Sequence, residues 1–416
     1  MDTLKKAKIP IRIREKLWTR DFITICLVNF TLAFGFQMLA PGFPLFVINE
    51  LGGNEAISGL LVGIFSITAL IIRPLAGWFL DNKGRRPILF LGLILILSML
   101  ISYKLTTSIT LLIAWRMIHG LGWGMASTSI GTHACDFLPQ ERFTEGMGFF
   151  GATNTVALAL SPALGLWVIG RSGFSSMLNI SLACTFLCLL LTFQLRSHKI
   201  EPPQKLSLKS LKLFSASALP SSILQFFASL PYGAVAAFIA KFIQQLGLGS
   251  GGFYFTVLAI SLFSVRAFAG RLADKKGDDL VMVPGFILLI LGVAVLIFAK
   301  TMPLIVASAI LYGLGMGLSL PSTQAIAMRG VPEGEMGAAN STFFSSSDIG
   351  IGGGSIFAGF LLKYFGYPVM FAFAVVAGII SLILYYYWIR RLPANQAHRQ
   401  QVRDRSMIKL VKEDSI

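Results

Sequence analysis

The stretch GWFLDNKGRRP, Gly77 to Pro87, sets four charged side chains, Asp81, Lys83, Arg85 and Arg86, between two hydrophobic runs. Such a burst of charge reads as a loop between membrane-crossing helices, provided the flanking runs are long enough to cross. Apolar residues do cluster in windows of about twenty along the chain, the length a helix needs to cross about 30 Å of hydrocarbon. The 416 residues are 55% hydrophobic and only 13% charged, about half the charged fraction of a soluble domain. Mean hydropathy is +0.74. A membrane barrel would instead alternate apolar and polar residues over segments of about ten. The composition therefore implies an all-α polytopic membrane protein.

Twelve transmembrane helices are expected, at roughly 22–46, 57–80, 88–104, 108–135, 146–170, 174–195, 214–244, 251–271, 281–299, 302–328, 336–363 and 366–389. An even count puts both termini on one side, and basic residues select that side. The N-terminal arm carries seven of them, from Lys5 to Arg20. The 2–3 loop, the central linker, the 8–9 loop and the tail from Arg390 to Lys412 are also basic. The opposite loops hold only Lys104, Arg171, Lys241, Lys300 and Lys363, at their edges. Both termini are thus expected in the cytoplasm, with the chain in the cell membrane. The net charge of +16 is the mark of this topology, so the lipid bilayer and not nucleic acid is the expected partner. The four cysteines all fall in spans, which implies no disulfide framework or metal site. The first span is too long for the apolar core of a cleaved leader and lacks a small-residue cleavage site.

The loop also repeats. Arg73, Gly77, Asp81 and Gly84 recur 193 positions later as Arg266, Gly270, Asp274 and Gly277. The same offset carries GLGWGM (Gly120 to Met125) onto GLGMGL (Gly313 to Leu318), and Pro139 onto Pro332. One constant offset across separate segments marks two parallel six-helix halves related by an axis along the membrane normal. The expected organisation is an arm (1–21), an N-terminal half (22–195), a linker (196–213), a C-terminal half (214–389) and a basic tail (390–416).

At these residues the chain resembles the major facilitator superfamily over nearly its whole length. GWFLDNKGRR is similar to that family's loop motif between spans 2 and 3, and RLADKKG to its degenerate copy between spans 8 and 9. AWRMIHGLGWG resembles the span-4 motif, with Arg116 in the arginine position and His119 where glutamine is more usual. LALSPALG resembles the span-5 motif of exporters, with Ser161 in place of a common glycine. LAPGFPLF resembles the proline-rich end of span 1. Together these imply the major facilitator fold and the twelve-span drug:proton antiporter branch.

Physically, Asp81 ends span 2, Gly77 lies one turn earlier and permits close helix approach, and Gly84 permits the tight turn. The resemblance implies that Asp81, Arg85 and Asp136, beside Arg86, form a charge cluster that clamps the halves in one conformation. A plain surface loop serving topology is the alternative. The copy at Arg266 to Gly277 lacks the arginine pair, so the clamp is expected to act once. Arg73 and Arg266 read as structural, bonding helix ends or lipid phosphate.

Charges inside the membrane are functional candidates by default. Asp348, in SSSDIGIGGG near the middle of span 11, is the deepest carboxylate. Unpaired, it would favour its protonated form, as a proton carrier should; a cation on a neighbouring span would instead pair with it. Arg116 resembles the family arginine linked to proton movement and substrate, or else snorkels outward. His119 shares its face and changes charge near neutral pH, or is a buried neutral histidine. Pro162 after Ser161 removes a backbone hydrogen bond and permits a hinge, with Gly165 one turn on.

The resemblance places the substrate pathway between the halves, lined by spans 1, 4, 7 and 10. It nominates Asn29, Phe30, Gln37, Trp115, Arg116, His119, Trp123, Gln225, Phe226, Tyr232 and Gln324. Such an aromatic lining suits small amphipathic molecules, and deep basic groups without acids in span 1 suit neutral or anionic ones. The expected function is proton-coupled export by a monomer without cofactors. A metabolite importer or uniporter, and a non-transporting membrane sensor, are the alternatives. No nucleotide-binding, metalloprotease or hydrolase motif appears, so an enzyme is not expected.

Overall fold

The computed structural model describes residues 16–53, 55–196, 214–249 and 252–413. The first fifteen residues of the arm and all but the first residue of the linker lie outside them. The helices are α1 (Arg20–Asn49), α2 (Glu55–Lys83), α3 (Arg85–Lys104), α4 (Ile109–Asp136), α5 (Phe143–Thr192), α6 (Leu219–Gln245), α7 (Gly252–Lys276), α8 (Asp279–Phe298), α9 (Met302–Met328), α10 (Met336–Tyr387) and α11 (Pro393–Glu413). Two of them are double. α5 holds spans 5 and 6, joined at Gly173, and α10 holds spans 11 and 12, joined at Gly366; each glycine has φ of 80°. Only glycine adopts that dihedral without strain, and each marks where one span ends and the next begins. The twelve spans are therefore present, as α1 to α10, and α11 follows them.

Helices suit this setting because hydrocarbon offers no hydrogen bonds, so each span must satisfy its own backbone. Their outward faces carry large apolar side chains such as Ile71, Phe263, Phe298 and Phe360. α4 and the first limb of α5 are not among the helices apolar enough to be recognised as spans from composition. α4 buries Arg116, His119, Thr128, Ser129, Thr132 and His133, so its polarity is turned inward.

Each half has its own packed interior. In the N-terminal half α1 lies on α5, and α2 and α3 lie on α4; in the C-terminal half α6 lies on α10, and α7 and α8 lie on α9. The halves meet along two interfaces, α2 against α10 and α5 against α7, which the repeat makes equivalent. Backbones touch there because side chains are missing. A Cβ on Gly77 would stand 2.7 Å from the Gly337 carbonyl oxygen, and one on Gly270 would stand 2.4 Å from that of Thr144. Pro162 lies inside helical backbone, and in α5 the non-helical dihedrals occur at Gly173. Gly165 instead lets α5 approach the Met38 carbonyl of α1.

Candidate functional site: two clamps and a central cavity

At the end of the molecule where α1 begins and α11 lies, each half caps a helix of the other. The first residues of a helix leave N–H groups unsatisfied. Neither α10 nor α5 has a capping side chain at its own N-cap. Asp81 does this for α10, accepting from Gly337 N (2.8 Å) and Ala338 N (2.9 Å). Asp274 does it for α5, accepting from Thr144 N (3.1 Å) and Glu145 N (2.7 Å). A carboxylate at a helix N-terminus also meets the positive end of its dipole. The expectation of a single clamp is corrected: the contact is made twice, at positions related by the repeat.

Arg85 holds the first clamp. It donates to Asp81 Oδ1 (3.2 Å) and to Asp136 Oδ2 (3.1 Å), so the three sequence-nominated charges are together. The second half does not lack this pair. Asp278 stands at the repeat position of Arg85 and Arg329 at that of Asp136, and they bond at 2.6 Å. The charges have traded places, which is why the copy reads as degenerate. Arg86 instead donates to the Phe193 carbonyl (2.9 Å).

Glu145 adds a tie outside the membrane. It accepts from Arg142 (2.7 Å) and from Arg271 of the other half (3.0 Å). Burial pushes its carboxyl up, but these two arginines win and hold it below the usual carboxylate range. A depressed folded value adds stability that is present above the unfolded value, near pH 4, and is lost as pH falls through the folded one. Glu145→Gln should therefore lower the melting temperature at neutral pH and make little difference in strong acid. An equal deficit at every pH would show that the ion pairs contribute nothing.

Deeper in, Arg73 on α2 meets Asp348 on α10 at 2.8 Å. The arginine is buried, and Asp348 keeps 32% of its side chain accessible. Arg73 also donates to Ser127 Oγ (3.0 Å) and Thr128 Oγ1 (3.2 Å) of α4. Asp348 is thus paired, and the partner of Arg73 is a carboxylate of the opposite half in place of a helix end or lipid phosphate. The repeat counterpart differs, since Arg266 donates to Thr155 Oγ1 (3.1 Å), the residue equivalent to Asp348.

Between the halves lies a cavity of about 360 Å³. Five nominated residues line it: Asn29, Trp123, Gln225, Tyr232 and Gln324. Arg266, Asn154, Ser127 and Ser347 line it too and were not singled out as lining residues. Arg266 carries a signal, the i, i+4 register with Gly270 and Asp274; the other three carry none. Gln225 Oε1, Gln324 Nε2 and Arg266 Nε are buried without a hydrogen-bond partner. Asn29 is occupied, donating to Phe150 O and Thr153 Oγ1.

The other nominated residues lie elsewhere. Phe30 lines a side groove with Trp18, Phe149 and Phe263. Gln37 is half-buried and, like Trp115 and Phe226, is not among the cavity's lining residues. Trp115 packs on the interior of its own half, and the Phe226 carbonyl faces Gly350. Arg116 and His119 sit inside the N-terminal half. The Arg116 guanidinium lies 4.4 Å from the Phe43 ring and 4.6 Å from the Phe65 ring. Tyr103 bonds His119 Nδ1 at 2.9 Å. A buried cation held by two aromatic faces is worth about 2 kcal/mol. Arg116→Gln should thus lower thermal stability while leaving ligand binding in the cavity intact; lost binding in a normally stable variant would contradict this placement.

A family model described as Major Facilitator Superfamily matches residues 25–278 and 221–413. The chain belongs to the Major Facilitator Superfamily. It is 25% identical over 355 residues to a staphylopine export protein of Staphylococcus aureus, covering 81% of this chain and 88% of that one. It is 22% identical over 406 residues to the multidrug resistance protein MdtG of Yersinia enterocolitica, covering 93% and 98%. The crystal structure of the human organic anion transporter MFSD10 superposes with a TM-score of 0.79 at 16% identity, over 88% of this chain and 98% of that one. As a member of the superfamily, the chain is a multi-pass membrane transporter of small molecules.

Proposed function

We propose that this transporter exports drugs or small amphipathic metabolites in exchange for protons, by alternating access. The observation that carries this reading is the Arg73–Asp348 ion pair, which bridges the halves beside the cavity. Opening on the clamp side must break it. With Asp348 ionised, the pair and both caps hold that side shut. A proton on Asp348 removes the charge, and Arg73 keeps Ser127 and Thr128 within its own half. The halves then separate, the proton leaves on the clamp side and cargo enters there. Ionised Asp348 closes the pair again with cargo enclosed.

In this reading the clamp side faces the cytoplasm, which the basic loops support, and the chain works as a monomer in the cell membrane. The exporter and the multidrug resistance protein among its relatives support the direction. A metabolite importer or uniporter is the second reading, favoured by one observation: the exporter-like stretch at Ser161 and Pro162 runs through unbroken helical backbone. Purified protein in liposomes with an internal pH dye distinguishes them. Under an imposed pH gradient, amphipathic compounds should release protons in a substrate-dependent way. Substrate movement without proton flux would favour the uniporter.

A further inference from the structure

Among the described residues lining the cavity, Arg266 is the only charged one. It sits in a notch made for it: a Cβ on Gly151 would fall 1.8 Å from Arg266 Nη2. The notch fits the guanidinium but does not satisfy it. Nη1 donates to Thr155 Oγ1, while Nε is buried with no acceptor. A buried N–H left unmade is costly, and one on a charged group more so. The repeat shows what is missing. Arg73, the equivalent residue, has the carboxylate of Asp348; at Arg266 the corresponding position is the hydroxyl of Thr155.

We infer that the cargo supplies the missing acid: the transported molecule carries a carboxylate that binds Arg266, with an apolar body against the cavity wall. This rests on the transporter reading above and specifies the substrate class. A guanidinium presents parallel N–H donors that match a carboxylate, and in a site shielded from water that match is strong. Two further residues lining the cavity hold a buried group without a hydrogen-bond partner, Gln225 at Oε1 and Gln324 at Nε2. Turned toward the cavity, they would offer an acceptor and a donor for polar atoms along the body. Leu158, Leu258, Leu262 and Leu320 supply apolar surface. With no carboxylate among the described lining residues, a cationic cargo would meet the repulsion of Arg266 with no acid to offset it.

The test is binding by calorimetry to the purified full-length protein, with three probes sharing one aromatic body. These are naphthylacetate, naphthylacetamide and naphthylmethyl-trimethylammonium. The parent should bind the carboxylate roughly tenfold or more tighter than the amide, and the ammonium weakest. Arg266→Gln should erase the difference between carboxylate and amide. Thr155→Asp should erase it too, by giving Arg266 an internal acid, and it carries the test if Arg266→Gln does not elute as a monodisperse protein. The inference is overturned if the parent binds none of the probes, or does not favour the carboxylate. It also falls if the preference survives both substitutions. Binding needs no gradient, so the outcome is separate from proton coupling: a carboxylate held by Arg266 that moves no proton leaves the substrate class standing and removes antiport. Proton exchange driven by the ammonium does the reverse.

Discussion

Asp348→Asn should cut substrate-driven proton flux in liposomes by at least about tenfold, while cargo still binds. Asparagine keeps the shape and accepts one hydrogen bond from Arg73, but it carries no proton and no charge. The attraction between guanidinium and carboxylate is lost, so the bridge between halves weakens as well. Arg73 stays buried but not abandoned, since Ser127 and Thr128 still accept from it; the fold should survive. Asp348→Glu should restore part of the flux, because the carboxylate can still reach across. Flux in Asp348→Asn equal to the parent's would move the proton carrier elsewhere.

Asp81→Asn should be the other large effect, acting on conformation and not on the proton. The carboxylate accepts from two backbone N–H groups of the opposite half and from Arg85. An amide has one acceptor oxygen, and its NH2 group would face a second N–H donor. One buried N–H is left unmade, which costs about 1–3 kcal/mol. A change near 2 kcal/mol alters the ratio of two conformations roughly thirty-fold. Transport should fall several-fold and the clamp side should open more often, with melting little changed because each half keeps its own interior. Asp274→Asn should do the same at the second interface, and the double variant should be worse than either. Unchanged transport in Asp81→Asn would remove the clamp from the mechanism.

The parts legible in the sequence are those set by nearby positions. Asp81 and Arg85 are four positions apart across the turn at Gly84, and the repeat announces the two halves. Asp348 stands out because a carboxylate in an apolar span is rare. Its partner was hidden, since Arg73 lies 275 residues away and nothing in either span records which faces of α2 and α10 meet. The Asp278–Arg329 pair was hidden differently: matching like residues at equal offsets misses a pair whose charges are exchanged. Arg116 looked like a cavity residue because a helix register does not say which neighbours surround it. Phe43, Phe65 and Tyr103 enclose it from three other helices. Ser161 and Pro162 read as a hinge from proline chemistry alone; the backbone there is helical, and the break in α5 falls at Gly173.

The most direct test of the account is the distance across the clamp side. Spin labels placed at Lys83 and Gly334, in a variant with its four cysteines replaced, report whether the α2–α10 interface is shut. At high pH the parent should show one short separation, and lowering the pH should add a longer one as Asp348 gains its proton. Asp348→Asn should show both separations at every pH. A single separation that ignores pH in the parent, or a pH response that persists in Asp348→Asn, would contradict a proton-controlled lock between the halves.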